Sequence, residues 1–386
     1  MTDNGDTGTS AFDRITAACA AALRNTSCSV VDAASWPLAA RHGVLPLLSA
    51  DHLPDHASHL RDIARRQLNH CNELRRITDA MKGQVDFITL KGPALSLQLY
   101  GSVARRDSHD LDILVRPRDV PRALATLTTI GYTAQHLESR AFRHWLRHQH
   151  ELPLANRDIR VLLELQWAWA QRHFAIERDI DACFAESTEL PLAGANVRVL
   201  SPEDTLLYLA VHGAKHNWST LSLVTDFAAA GLLLGLDWKL VVKRAHESGL
   251  GRLVEIGAAL SNALFGIALP IRSSAAALVR TATFERRLRA GDRQPSMRLF
   301  VQSRERIRDR ARVWWRLGTA PNPSDAAWVV LPDRWFGAYY LVRPIRLLLK
   351  PFARHGSAAD ELPRDDVFRH FANAEAALLE QTSGRR

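Results

Sequence analysis

Two aspartates one residue apart, Asp110 and Asp112, open the run Asp110-Leu-Asp112-Ile-Leu-Val115. In an extended strand alternate side chains share a face, so both carboxylates point one way while Leu111, Ile113 and Val115 enter a core on the other side. Like charges this close repel unless a divalent cation lies between them. Hard Mg²⁺, or Mn²⁺ in its place, takes a few carboxylate oxygens and completes its shell with water and substrate phosphates, and the pair is expected to meet it in the open. A third carboxylate should come from a neighbouring strand. In Val161-Leu-Leu163-Glu164-Leu165-Gln166-Trp167 the residues Val161, Leu163, Leu165 and Trp167 alternate into the core, leaving Leu162, Glu164 and Gln166 on the opposite face. Glu164 is therefore the candidate, and its competing reading is a strand-edge ion pair with Arg160.

The anion side of such a site lies upstream. The apolar strand Phe87 to Leu90 runs into Lys91-Gly92-Pro93, a tight turn that opens a helix and offers free N–H groups to a phosphate. Gly101-Ser102 is a rival turn at a plausible spacing from Asp110. The Lys91-Gly92 register is preferred because it directly follows a strand, which makes Gly101 and Ser102 the loop after the helix. Arg106 then either neutralises a phosphate or clamps the loop, against the alternative of a surface ion pair worth little.

Leu90-Lys91-Gly92, a short helix ending in Tyr100, Arg106 and Asp110-x-Asp112 together resemble the uncharacterised nucleotidyltransferases of the DNA polymerase β-like superfamily. Arg106-x-Ser108-x-Asp110-x-Asp112 is similar to the run found in toxin-type relatives, so two subfamilies agree on one register. The resemblance implies that Asp110, Asp112 and Glu164 are the catalytic, metal-binding set. It implies a nucleotide held by Lys91, Gly92, Arg106, Ser108 and Lys215, with an NTP as substrate and Mg²⁺ as cofactor. Gln166 departs from the family, which often has His there. Arg41-His-Gly-Val-Leu-Pro-Leu-Leu48 and His212-Gly-Ala-Lys215-His216, with Trp218 and the later Asp226, also resemble the family, and the likeness spans about residues 35 to 235. Its helical part would form a wall closing over the nucleotide.

Elements must position these groups. Ser201-Pro202-Glu203-Asp204 reads as a helix start, with a Ser cap, Pro in the first turn and acids at the positive dipole end. His212 and His216 fall one turn apart on that helix, yet Gly213 stands where a zincin needs Glu, so metalloprotease chemistry is excluded. His148-Gln-His150-Glu151 lacks a third spaced ligand and reads as an edge strand bordering the pocket, where His150 or Glu151 would touch substrate. Val120 to Thr129 is an amphipathic helix with Leu124 and Leu127 inward, stopped by Gly131. The fold class is α+β: a small mixed β-sheet nucleotidyltransferase core with an N-terminal helical cap and a mainly helical C-terminal half. The expected division is 1–82 cap, 83–200 catalytic core, 201–357 helical domain, and 358–386 short helix and polar tail.

With 386 residues, 47% of them hydrophobic, the chain can bury a large core. Its formal net charge is +9, with arginines concentrated from Arg280 to Arg316 around Trp314-Trp315. Those arginines read as a solvated face or as an acceptor-binding surface. The aromatic stretch from Val329 to Ile345 reads as a partner or membrane-interface patch, or as a helix capping the core. Cys19, Cys28, Cys71 and Cys183 lack metal spacing, the N-terminus lacks a secretory pattern, and the run from Leu221 to Leu236 is too short to span a membrane, so a cytoplasmic enzyme is expected. Peripheral membrane contact is not expected. Three functions compete: transfer to a small molecule or peptide in natural-product or polysaccharide biosynthesis, a toxin-like or RNA-modifying transferase with nucleic acid as the less favoured partner, and a non-catalytic binding protein. Loss of any one of the three carboxylates would have pointed to the last.

Overall fold

The computed structural model describes residues 10–26, 32–48, 54–134, 150–156, 159, 161–321, 325, 328, 329 and 331–349. Cys28, His148, Arg160 and the expected C-terminal helix and tail lie outside these residues. Among the described residues seven strands form one mixed sheet: β1 (Ile88–Thr89), β2 (Asp110–Leu114), β3 (Thr133–Ala134), β4 (Glu151–Asn156), β5 (Val161–Gln166), β6 (Thr188–Leu192) and β7 (Ala195–Val199). Their order is β3-β4-β5-β2-β1-β7-β6. β2 runs parallel to β5 and β1 to β7, while the other neighbours are antiparallel. The α+β expectation holds, with two differences. β4 is interior rather than an edge, because Thr133 and Ala134 pair with Ala155 and Leu154. The β6–β7 hairpin was not foreseen, although Leu190, Leu192, Val197 and Val199 alternate around Ala193-Gly194, both at positive φ as a type I′ turn requires.

One face of the sheet is the core. Leu111, Ile113, Val115, Leu163 and Leu165 are sealed there by helix α3 (Pro54–Met81) through Cys71, Leu74, Ile77 and Met81. Helix α5 (Val120–Thr129) adds Val120, Ala123 and Leu127, with Leu124 only partly buried. Truncating one such leucine to Ala typically costs about 2–5 kcal/mol, since the transfer energy is lost and a cavity remains. The acidic residues of β2 and β5 must therefore project from the other face.

That second face is met by the helical half. Helix α7 (Pro202–Lys215) starts at Ser201, whose Oγ accepts from the Asp204 N–H at 3.3 Å as the sequence predicts. Helix α8 (Leu221–Leu233) follows a tight reversal. Gly213 is there for packing: a Cβ would come to 2.5 Å from the ring of Trp218, which is completely buried. The Arg41-His42-Gly43 segment caps α8 from the N-terminal region. The Leu221 N–H donates to His42 Nδ1 at 3.2 Å and the Ser222 N–H to the His42 carbonyl at 3.1 Å, satisfying two N–H groups at the start of α8.

By compactness the chain divides into two units, residues 1–313 and 314–386. The sheet and every candidate site residue belong to the first. Within the second, Asp325 receives Arg346 at 2.7 Å and Arg343 at 3.6 Å, and Trp314 and Trp315 are exposed. The expected solvated or acceptor-binding arginine face needs correction at three positions, Arg304, Arg306 and Arg310, while Arg286, Arg289, Arg293, Arg298 and Arg312 are exposed. Arg304 is fully buried, its Nη2 donating to Asp309 Oδ2 at 3.1 Å and to the Ala175 carbonyl at 3.3 Å. Arg306 donates to the carbonyls of His246 and Glu247, and Arg310 to that of Arg304. A guanidinium carries five donors, and here they tie chain segments together, leaving Arg308 as the exposed one of the four.

Candidate functional site

The parallel pairing of β2 with β5 sets Asp112 beside Glu164. Asp110, Asp112 and Glu164 each offer an oxygen within 4.8 Å of the others, the arrangement a cation with oxygen ligands requires. Asp110 is half-buried, but Asp112 is fully buried and Glu164 is 7% exposed. The expectation that both aspartates meet in the open is thus corrected for Asp112. Burial is bearable because the charge is matched: Lys91 Nζ lies 3.0 Å from Asp112 Oδ1, with 8% of the lysine side chain exposed. Gln166 Nε2 donates to the same oxygen at 2.7 Å and to Glu164 Oε2 at 3.2 Å. This amide ties two of the carboxylates together and cannot titrate.

Burial, the largest influence, raises the Asp112 carboxyl above its ordinary pKa. Lys91 pulls it down and Asp110 adds to the rise. For Lys91, burial disfavours the ammonium, but Asp112, then Tyr208, Asp110 and Glu164, outweigh it and the pKa is raised. The lysine is a fixed cation. Asp112 Oδ2 is buried with no hydrogen-bond partner among the described residues.

Lys91 also caps helix α4 (Gly92–Tyr100), and Pro93 sits in the first turn. Gly92 has φ +68°, and a Cβ there would lie 3.4 Å from Leu111 and 3.8 Å from the Asp110 carbonyl. The turn thus lies beside the acidic strand, at ordinary van der Waals distance. Gly101 also has φ +68° but ends α4 as its C-cap, with open space around it. Ser102 accepts from the Ala104 N–H at 3.4 Å within the following turn.

From the helical half, Tyr208, His212 and Lys215 share one face of α7 by their spacing. The Tyr208 and His212 rings stack at 6.2 Å, and Trp169 meets Tyr208 edge-on at 5.7 Å. Lys215 Nζ lies 3.3 Å from His150 Nε2, which is 2.9 Å from Glu151 Oε2. Burial, followed by the positive charges of Lys91, His216, Lys215 and Arg106, depresses the His212 pKa well below normal, so its ring is neutral. Tyr208 escaped the sequence reading, although its spacing of four from His212 was a usable signal.

Arg106 and Ser108 are engaged elsewhere. Arg106 Nε donates to Asp226 Oδ2 at 2.8 Å, and Tyr100 Oη donates to Asp226 Oδ1 at 2.8 Å. Ser108 Oγ donates to Gln67 Oε1 at 2.6 Å, while Gln67 Nε2 donates to the Ser108 carbonyl at 2.8 Å. Of the two roles open to Arg106, clamping the loop matches this geometry. Both residues fix the segment that enters β2.

Residues 33–266 match the sequence model of a family described as uncharacterised nucleotidyltransferase. No curated protein matches the chain. A solved structure, described as the crystal structure of an antigenic nucleotidyltransferase-like protein from Paracoccidioides brasiliensis, is 18% identical. The match covers 56% of this chain and 97% of that one, at a TM-score of 0.30.

Proposed function

Because the chain belongs to the uncharacterised nucleotidyltransferase family, we propose that it moves a nucleoside monophosphate from an NTP to a hydroxyl of a small molecule or peptide, in a reaction dependent on Mg²⁺ or Mn²⁺. The observation that carries this reading is the convergence of Asp110, Asp112 and Glu164 to within 4.8 Å of one another, with Oδ2 of Asp112 buried and without a hydrogen bond among the described residues. An all-oxygen donor set with one buried acceptor left over suits a hard divalent cation. When bound, that cation supplies charge neutralisation at the α-phosphate and lowers the pKa of the acceptor hydroxyl.

The chain's own residues do the rest. The acceptor oxygen bonds to the α-phosphorus, the bond to the α,β-bridging oxygen breaks, and pyrophosphate departs with that electron pair. The hydroxyl proton passes to Glu164. The Gly92 turn presents N–H groups to the phosphates, while Lys91 and Lys215 offset charge developing on the leaving group. Tyr208 and His212 form an aromatic wall beside the acids. Arg106 and Ser108 act at one remove, through Asp226 and Gln67. Arg304, Arg306 and Arg310, among the arginines that the RNA-modifying alternative would turn to phosphates, are bonded within the protein.

The test is incubation of purified protein with each α-labelled NTP, Mg²⁺ or Mn²⁺ and a panel of hydroxyl acceptors. The reading expects label on an acceptor together with released pyrophosphate, and loss of both in Asp110→Asn. Label transfer that persists in that variant would overturn it.

A further inference from the structure

The protein treats the two oxygens of Asp112 differently. Oδ1 faces the Lys91 ammonium at 3.0 Å and the Gln166 amide at 2.7 Å, whereas Oδ2 is buried and meets no donor among the described residues. Two divalent cations held about 3.5–4 Å apart repel strongly unless an anion is shared between them. A carboxylate shares itself by turning one oxygen to each ion. At Asp112 the oxygen that a second cation would need is already taken by two N–H donors, one of them carrying a full positive charge. Lys91 is enclosed as well: Asp110 and Glu164 act on it beside Asp112, and only 8% of its side chain is exposed.

We infer that this site is built for a single divalent cation, held by Asp110, Glu164 and Oδ2 of Asp112, with the Lys91 ammonium standing permanently where a second cation would sit. The inference rests on the reading that the three carboxylates bind a divalent cation. Its chemical consequence lies in the position of Lys91 at the head of α4, next to the Gly92 turn. There a tethered charge serves the departing pyrophosphate without having to be recruited from solution. Gln166 completes the arrangement, since its amide N–H groups occupy Asp112 Oδ1 and Glu164 Oε2 together and hold both side chains in place.

Mn²⁺ binding to the full chain, counted by electron paramagnetic resonance, tests this without relying on turnover. Mn²⁺ is titrated alone and again with α,β-methylene-ATP, with the analogue's own Mn²⁺ binding subtracted. The expected result is one ion per chain with an uncoupled spectrum in both titrations. In Lys91→Met, which keeps side-chain length and loses the charge, a second ion and a spin-coupled spectrum are expected, while Lys91→Arg stays at one. Two coupled ions in the unaltered protein would overturn the inference and leave the metal reading intact. A count of one that persists in a folded Lys91→Met would also overturn it. No bound Mn²⁺ in the unaltered protein, in either titration, would overturn the metal reading itself. Should Lys91→Met fail to fold by circular dichroism, the count and coupling in the unaltered protein and in Lys91→Arg still decide.

Discussion

Arg106 and Asp226 are 120 residues apart in sequence and 2.8 Å apart in space, and both side chains are largely buried. The pair links the loop entering β2 to helix α8, and Tyr100 at the end of α4 shares the same carboxylate. Removing the acid alone strands a buried guanidinium. Asp226→Ala is therefore expected to cost about 3–5 kcal/mol of stability, read by urea denaturation. Tyr100→Phe, which removes one neutral donor to a charged acceptor, should cost about 1.5–3 kcal/mol. Equal, negligible losses in both would show that the clamp does not hold these elements together.

The two aspartates should respond differently to amidation. Asp110→Asn removes one carboxylate from a half-buried position, so transfer should fall by orders of magnitude while the melting temperature changes little. Asp112→Asn also leaves the Lys91 ammonium without its closest partner, so it should lose activity and about 3–5 kcal/mol of stability together. Calorimetry alongside turnover separates the two. A fully stable Asp112→Asn would mean that Lys91 finds its neutralisation elsewhere.

The two glycine turns can be ranked with one substitution. Gly92→Ala and Gly101→Ala impose the same left-handed backbone, at roughly 1–2 kcal/mol each. Only the former sets the added methyl in contact with Leu111 and the start of the acidic strand, at the turn proposed to face the phosphates. NTP affinity, measured by isothermal titration, should drop at least tenfold for Gly92→Ala and stay nearly unchanged for Gly101→Ala. The opposite ranking would make Gly101-Ser102 the phosphate cradle.

Acid should weaken the attachment of the N-terminal cap. Burial, then the charges of Arg293 and Arg41, lowers the His42 pKa from 6.5 to about 4. Its Nδ1 must also stay unprotonated to accept from the Leu221 N–H. A depressed folded-state pKa means that the full contribution is present above pH 6.5 and is lost as pH falls toward 4, by roughly 3 kcal/mol at most. His70, lowered to about 4 chiefly by burial, adds in the same direction. Denaturation at pH 7 and at pH 4.5 should show a smaller acid loss in His42→Asn than in the unaltered protein. Parallel losses would remove His42 from the account.

The arginines from 304 to 310 should split by burial rather than by charge. Arg304→Glu places an acid beside Asp309 in a closed pocket and should unfold the region or lower the melting temperature sharply. Arg308→Glu, on an exposed side chain, should change stability by less than about 0.5 kcal/mol. Scanning calorimetry on the two single variants checks this, and matched melting temperatures would contradict the buried clamp.

Local order carried the strand, the turn and the acids into legibility. A period of two is enough to put Asp110, Asp112, Glu164 and Gln166 opposite their apolar neighbours, because strand geometry leaves a side chain only two directions. Gly92 and Gly101 were both visible as turns, and Ser201 as a cap, since capping and positive φ depend on a few adjacent residues. What pairs across the fold was not legible. Arg106 reads as a phosphate ligand, a loop clamp or a surface charge until Asp226 arrives from a helix 120 residues on and selects the clamp. The Arg304 to Arg310 run looks like a solvated stripe until carbonyls from other elements close around it. Burial decided the site as well: nothing local says that Asp112 is sealed from water, and it is the Lys91 turn and Gln166 of the neighbouring strand that make its two oxygens unequal. Charge and hydrogen-bond partners are properties of the space around a residue, and only the tertiary structure fills that space.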